Sequence, residues 1–238
     1  MTNSLEARLH HVRRFYALLD DLSSAIGGMR TLADCNGRTR WPERGVYFFF
    51  EAGEARSSSG NGLRVVRVGT HALKLGAQTT LWRRLSQHKG SESSGGGNHR
   101  GSIFRLIVGD ALLGRQGATS PTWGRGSSAP KDVTASEVEL ERAVSKAIGR
   151  MPFLCLPVDD PAGPDSQRGT IERNAIALLS NDAREPIDPA SRHWLGHSCR
   201  RGRARACGLW NSDHVNDDFD PRSLDVMATL VANARRYQ

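Results

Sequence analysis

Five side chains in this sequence are of types that a phosphate would need. Arg84 and His88 stand four residues apart in RRLSQH, so on a helix they project from one face. A guanidinium offers forked donors to phosphoryl oxygens, and an imidazole beside it supplies a donor or proton carrier near neutral pH. Two ordinary basic side chains on a solvated face would look the same. Glu172, in TIERNAIALL, shares its helical stripe with Ala175, Ile176 and Leu179. A carboxylate edging onto an apolar face is costly unless a cation meets it, and that cation is either one of the many arginines or a metal. A hard ion binds through one or two carboxylates, waters and a substrate phosphate, so Glu172 alone suffices as a magnesium anchor. Tyr47 and Arg67 lie in GVYFFFEAGEARSSSGNGLRVVRVG, residues 45–69, which reads as two strands joined by a polar loop. A free phenol has a pKa of about 10 and is a poor base unless nearby positive charge favours its phenolate. Arg67 supplies that charge if its strand pairs beside Tyr47.

The elements that must position these groups follow from periodicity. Leu5, Leu9, Val12, Phe15, Leu19, Leu22 and Ile26 repeat at three and four residues, one helix face, which Gly27-Gly28 stops. TTLWRRLSQHKG predicts a short helix opened by a capping threonine and closed by a glycine. Ser102 to Val108 reads as a strand because of its alternating and β-branched residues, followed by a helix over about 134–149. MPFLCLPV is a strand whose prolines indicate a sheet edge or strand ends. TIERNAIALLSN and residues 221–236 are further helices. The expected class is α+β, a small, mainly antiparallel sheet flanked by helices. An N-terminal helical extension covers residues 1–40, the core 41–184, and a C-terminal extension 185–238.

In order and on these elements, Gly45-Val46-Tyr47, Val68-Gly69, Arg84 with His88, and Glu172 resemble the GIY-YIG nuclease family, closest in layout to its restriction-endonuclease branch. The resemblance is clearest from Arg44 to Asn181. It implies a metal-dependent endonuclease that hydrolyses phosphodiester bonds in DNA, plausible as a restriction or defence enzyme, with one magnesium or manganese ion per site. Tyr47 would activate water, Arg84 would hold the phosphate with His88 as its helical partner, and Glu172 would ligate the metal. The products would carry a 3′ hydroxyl and a 5′ phosphate. The family also places an asparagine late in the chain; Asn211 in CGLWN and Asn181 in LLSN compete for it, and the aromatic before Asn211 favours the former. The second tripeptide reads Arg-Val-Gly, so Arg67 stands where a tyrosine is usual, and the loop between the tripeptides is long. A degenerate scaffold that binds nucleic acid without cutting is the competing expectation.

Bulk properties agree with a polyanionic partner. The 238 residues carry 33 Lys+Arg against 25 Asp+Glu, a formal charge of +8, which steers polyanions such as DNA. Arg200, Arg201, Arg203 and Arg205 read as a phosphate-tracking patch or as a solvated basic loop, and His99 with Arg100, after a triple glycine, as a secondary DNA contact. Four scattered cysteines fit no disulfide framework, and His193, His197, Cys199 and Cys207 fit no standard zinc spacing. No apolar stretch approaches the roughly 20 residues of a membrane span, and the N-terminal stretch does not read as a secretory leader, so a cytoplasmic protein is expected. Cutting both strands of a duplex commonly uses two sites, which admits a homodimer.

Overall fold

The computed structural model describes residues 2–237, with side chains described for residues 5–235. Helix α1 (Thr2–Ile26) precedes a two-residue strand β1 (Arg30–Thr31), the hairpin β2 (Gly45–Ala55) and β3 (Leu63–Gly69), and helix α2 (Leu81–Lys89). Helices α3 (Ile103–Arg115), α4 (Lys131–Ser136) and α5 (Val138–Gly149) lead to β4 (Pro152–Pro157), followed by α6 (Gln167–Leu179), α7 (Gly202–Cys207) and α8 (Arg222–Asn233). The sheet order is β1-β4-β2-β3, antiparallel at every pairing. The architecture is α+β, as expected.

Strand β2 is central, and its sequence explains why. Val46, Phe48 and Phe50 face a core built with α1, α6 and α8, while Tyr47 and Phe49 face a second core built with α2, α3 and α5. A strand covered on both faces reads as a continuous apolar run instead of an alternating one. Helix α1 contributes Val12, Phe15, Leu19 and Leu22 to the first core, each at most 2 % exposed. Among the described residues no helix is long and apolar enough to cross a membrane.

Two expectations change, for residues 102–108 and 134–149, and the alternative left open for the prolines of β4 is resolved. Residues 102–108 do not form a strand: Ser102 caps α3, its Oγ accepting the Arg105 N–H, and the apolar run continues through Leu113 as a buried helix. A helix buried nearly all round has no polar stripe, and its first seven residues resemble a strand for that reason. Strand β4 lies between β1 and β2 and not at an edge, its prolines marking its two ends. The helix expected over 134–149 is divided into α4 and α5.

The outer edge of β3 is covered by the chain after α7. Trp210 N–H donates to Val66 O at 2.6 Å, and Arg64 Nη1 donates to Gly208 O at 2.7 Å. An open row of backbone donors and acceptors is thereby closed.

Candidate active site

The two tripeptides meet face to face. Tyr47 pairs with Gly69 across β2 and β3, and a Cβ built on Gly69 would collide with Cε2, Cζ and Oη of Tyr47. Glycine is required at that position because the phenol occupies the space a side chain would take. On the other side, α2 presents His88, whose Nε2 lies 2.8 Å from Tyr47 Oη, while its Nδ1 lies 2.7 Å from Ser102 Oγ. Burial, then the positive charges of Arg84, Arg67 and Arg105, hold the His88 imidazole well below its usual pKa, so the ring is neutral.

Arg67 reaches this group through a β-bulge. Arg67 opposes Phe49 while Val65 opposes Phe50, so Val66 is an extra residue in β3, and the bulge turns Arg67 to the Tyr47 face. Its Nη1 donates to Trp210 O at 2.5 Å, and its guanidinium lies over the Phe104 ring at 5.5 Å. Burial lowers the Arg67 pKa, an effect that Tyr47 and Glu172 oppose. The guanidinium therefore lies within electrostatic reach of both the phenol and the carboxylate.

Glu172, one turn into α6, is half-buried; its Oε1 accepts the Thr70 N–H at 3.1 Å. Burial pushes its carboxyl above the usual 4.5, and Arg67, the Thr70 amide, His214 and Arg84 pull it back. The start of α6 is fixed by Arg168, which is buried against Asp160 and donates from Nη1 to the His71 carbonyl. Arg84 is half-buried on the outer face of α2, its Nη1 held by Gly101 O at 3.0 Å and Gln87 Oε1 at 3.1 Å. Arg67, Glu172, Ile103, Asn211, Asp213 and His214 are among the residues lining a cleft of about 230 Å³. Near the start of β2 and the end of β3, Tyr47 touches His88, Arg67 and Glu172 line the cleft, and Arg84 lies within electrostatic reach of His88, Arg67 and Glu172.

The other sequence candidates lie in different settings. Asn211 borders the cleft, but both ends of its amide are engaged: Oδ1 accepts the Val68 N–H at 3.2 Å and Nδ2 donates to Val68 O at 2.9 Å. Asn181 bonds instead to Arg8 and Ile187. His99 is buried, its Nδ1 hydrogen-bonded to Glu141 Oε1 at 2.9 Å and its ring stacked on Trp123. Arg100 makes a two-pronged contact with Glu137 at 2.6 and 2.9 Å. These two side chains join the loop before α3 to the α4–α5 region and are not open to DNA. Arg200, Arg201, Arg203 and Arg205 are exposed; Arg200 meets Asp110 at 3.4 Å and Arg205 donates to Cys199 O. Cys199 and Cys207 are buried thiols, and no group of three or more His, Cys, Asp or Glu residues among those described could hold a metal.

Sequence reasoning missed three residues at the site. Thr70 holds Glu172 through its amide and anchors β2 through Oγ1, which donates to Gly45 O at 2.8 Å. Ser102 contacts His88, and its Ser-x-x start before an apolar run is a capping signal that pointed to the helix. His71 donates Nδ1–H to Thr79 O at 2.6 Å; burial lowers its pKa to about 4. No sequence signal separates it from a surface histidine.

A family model described as the GIY-YIG domain matches residues 6–237. No curated protein and no solved structure matches the chain. With almost the whole length matched, and with the tyrosine, glycine, arginine, histidine and glutamate of the motifs gathered at one end of the sheet, the chain belongs to the GIY-YIG domain family, whose members are generally endonucleases.

Proposed function

We propose that this chain is a metal-dependent endonuclease that hydrolyses phosphodiester bonds in DNA, serving as a cytoplasmic restriction or defence nuclease. The observation that supports the reading is a cleft lined by the Arg67 guanidinium and the half-buried Glu172 carboxylate, with the Arg84 charge in electrostatic reach of both and the buried Tyr47 phenol in electrostatic reach of Arg67. A merely basic binding surface needs neither the phenol nor the carboxylate.

Glu172 fits the role of metal anchor. Its Oε1 takes an amide proton, no donor among the described residues reaches Oε2, and burial raises the cost of its charge in a way that a divalent cation would offset. Magnesium or manganese held there would offset the charge that develops on the phosphoryl oxygens. Arg84 and Arg67 would hold the scissile phosphate by charge-assisted hydrogen bonds. Tyr47 would take the proton of the attacking water as the new phosphorus–oxygen bond forms and the bond to the 3′ oxygen breaks. The phenol is fully buried, with the Thr70 carbonyl 3.5 Å away, so DNA binding must open the Thr70 side before water reaches it.

The test is incubation with supercoiled and linear DNA, with and without magnesium or manganese, beside Glu172→Ala. Metal-dependent nicking that disappears in the variant is the expected result. Tight binding with no cleavage under any metal would instead identify a scaffold that only binds.

A further inference from the structure

The contact between Tyr47 and His88 continues inward to Ser102, and the three side chains are buried, none more than 2 % exposed. Ser102 Oγ already accepts the Arg105 N–H at 3.3 Å as the N-cap of α3. The neutral chain carries three protons, one each on the serine hydroxyl, the imidazole and the phenol. They can be ordered in two directions.

In one order Tyr47 donates to His88 Nε2 and Nδ1–H donates to Ser102 Oγ. The serine proton then has no acceptor among the described residues beyond the ring itself. In the other, Ser102 donates to Nδ1, Nε2–H donates to Tyr47 Oη, and the phenol proton turns to the Thr70 carbonyl at 3.5 Å. A carbonyl only accepts, so this is the one order in which every donor has a partner. The charged groups around the ring, Arg84 on α2, Arg67 on β3 and Arg105 on α3, are all cationic, which keeps a second proton off the imidazole.

We propose that Ser102 is a positioning residue that fixes His88 as the Nε2–H tautomer, so that His88 donates a hydrogen bond to Tyr47 and does not accept its proton. The inference rests on the reading of Tyr47 as the base. The phenolate oxygen then has His88 as a hydrogen-bond donor, with the Arg67 charge within electrostatic reach. Tyr47 releases its own proton to solvent, later takes one from the attacking water, and His88 keeps its proton throughout.

The tautomer is a property of the free protein and is read without DNA. Long-range proton–nitrogen correlation on nitrogen-labelled protein near neutral pH, with His88 assigned through His88→Gln, should give the Nε2–H pattern. Ser102→Thr keeps the hydroxyl and the cap and should preserve it. Ser102→Gly removes the hydroxyl while remaining an acceptable N-cap, and should lose it, giving an Nδ1–H or mixed pattern. In cleavage, Ser102→Gly should move the rising limb of the pH profile upward by about one pH unit, and Ser102→Thr should restore it. An Nδ1–H wild type, or a pattern unchanged in Ser102→Gly, overturns the proposal. An Nε2–H wild type that cuts no DNA with either metal would sustain the tautomer and sink the nuclease reading.

Discussion

Glu172 carries opposite demands of stability and chemistry on one side chain. Burial raises its pKa, so the folded state binds a proton more readily than the unfolded state. The sign is that of a carboxyl destabilised when charged: stability falls as pH rises from 4.5 through the raised folded value and stays reduced above it. Glu172→Gln keeps an oxygen for the Thr70 amide and removes the charge. At neutral pH its thermal midpoint should exceed that of the wild type, the difference vanishing on acidification below 4.5. Its cleavage rate should fall about 100-fold or more, the loss expected when a metal anchor is removed. A variant that is no more stable than wild type would remove the electrostatic account of this residue. Gly69 makes a steric demand. Gly69→Ala places a Cβ against the Tyr47 ring and hydroxyl, which should cost about 1–3 kcal/mol as overpacking and displace the phenol from His88. Denaturant titration and cleavage assays on the same preparation would both register the change.

Between elements, the decisive junction is the pairing of the post-α7 chain with β3. Asn211 acts as a short strand there, its amide satisfying the donor and acceptor of Val68 together. Asn211→Ala would leave two buried backbone groups unpaired, so unfolding free energy should drop by about 2–4 kcal/mol with an unchanged denaturant slope. An unaltered stability with abolished cleavage would instead assign Asn211 to the reaction. This junction brings together residues far apart in sequence, which explains what could be foreseen. The helix over 5–26, the hairpin and the glutamate helix follow from periodicity, since each face packs on a neighbour of fixed geometry. The tripeptides were legible because Tyr47 and Gly69 pair within one hairpin. The His99–Glu141 hydrogen bond and the Arg100–Glu137 ion pair were not, because their partners lie about 40 residues away on α5 and just before it, and a basic dipeptide after glycines looks the same whether it faces DNA or a buried carboxylate. Residues 102–108 misled for a local reason: the turns of a fully buried helix carry the same residue types as a strand.

For the molecule as a whole, the surplus of +8 is distributed unevenly between internal and external work. Arg64, Arg67, Arg100, Arg105 and Arg168 are buried among carboxylates, carbonyls and rings, so they contribute little to long-range attraction of DNA. The exposed arginines near α7 contribute more, and they are not equivalent. Arg200 is tied to Asp110, whereas Arg201 and Arg203 are exposed and in no ion pair among the described residues. Removing a cation that neutralises one phosphate should flatten the plot of log affinity against log salt by about 1. If these two side chains track the backbone, Arg201→Ala with Arg203→Ala should reduce that slope by about 2, and Arg200→Ala should change it less. Cleavage at saturating DNA should be unchanged in the double variant, because neither residue lines the cleft that holds Arg67 and Glu172. An unchanged slope would leave the +8 surplus without a docking role at α7 and would move the DNA path to the arginines around the cleft itself.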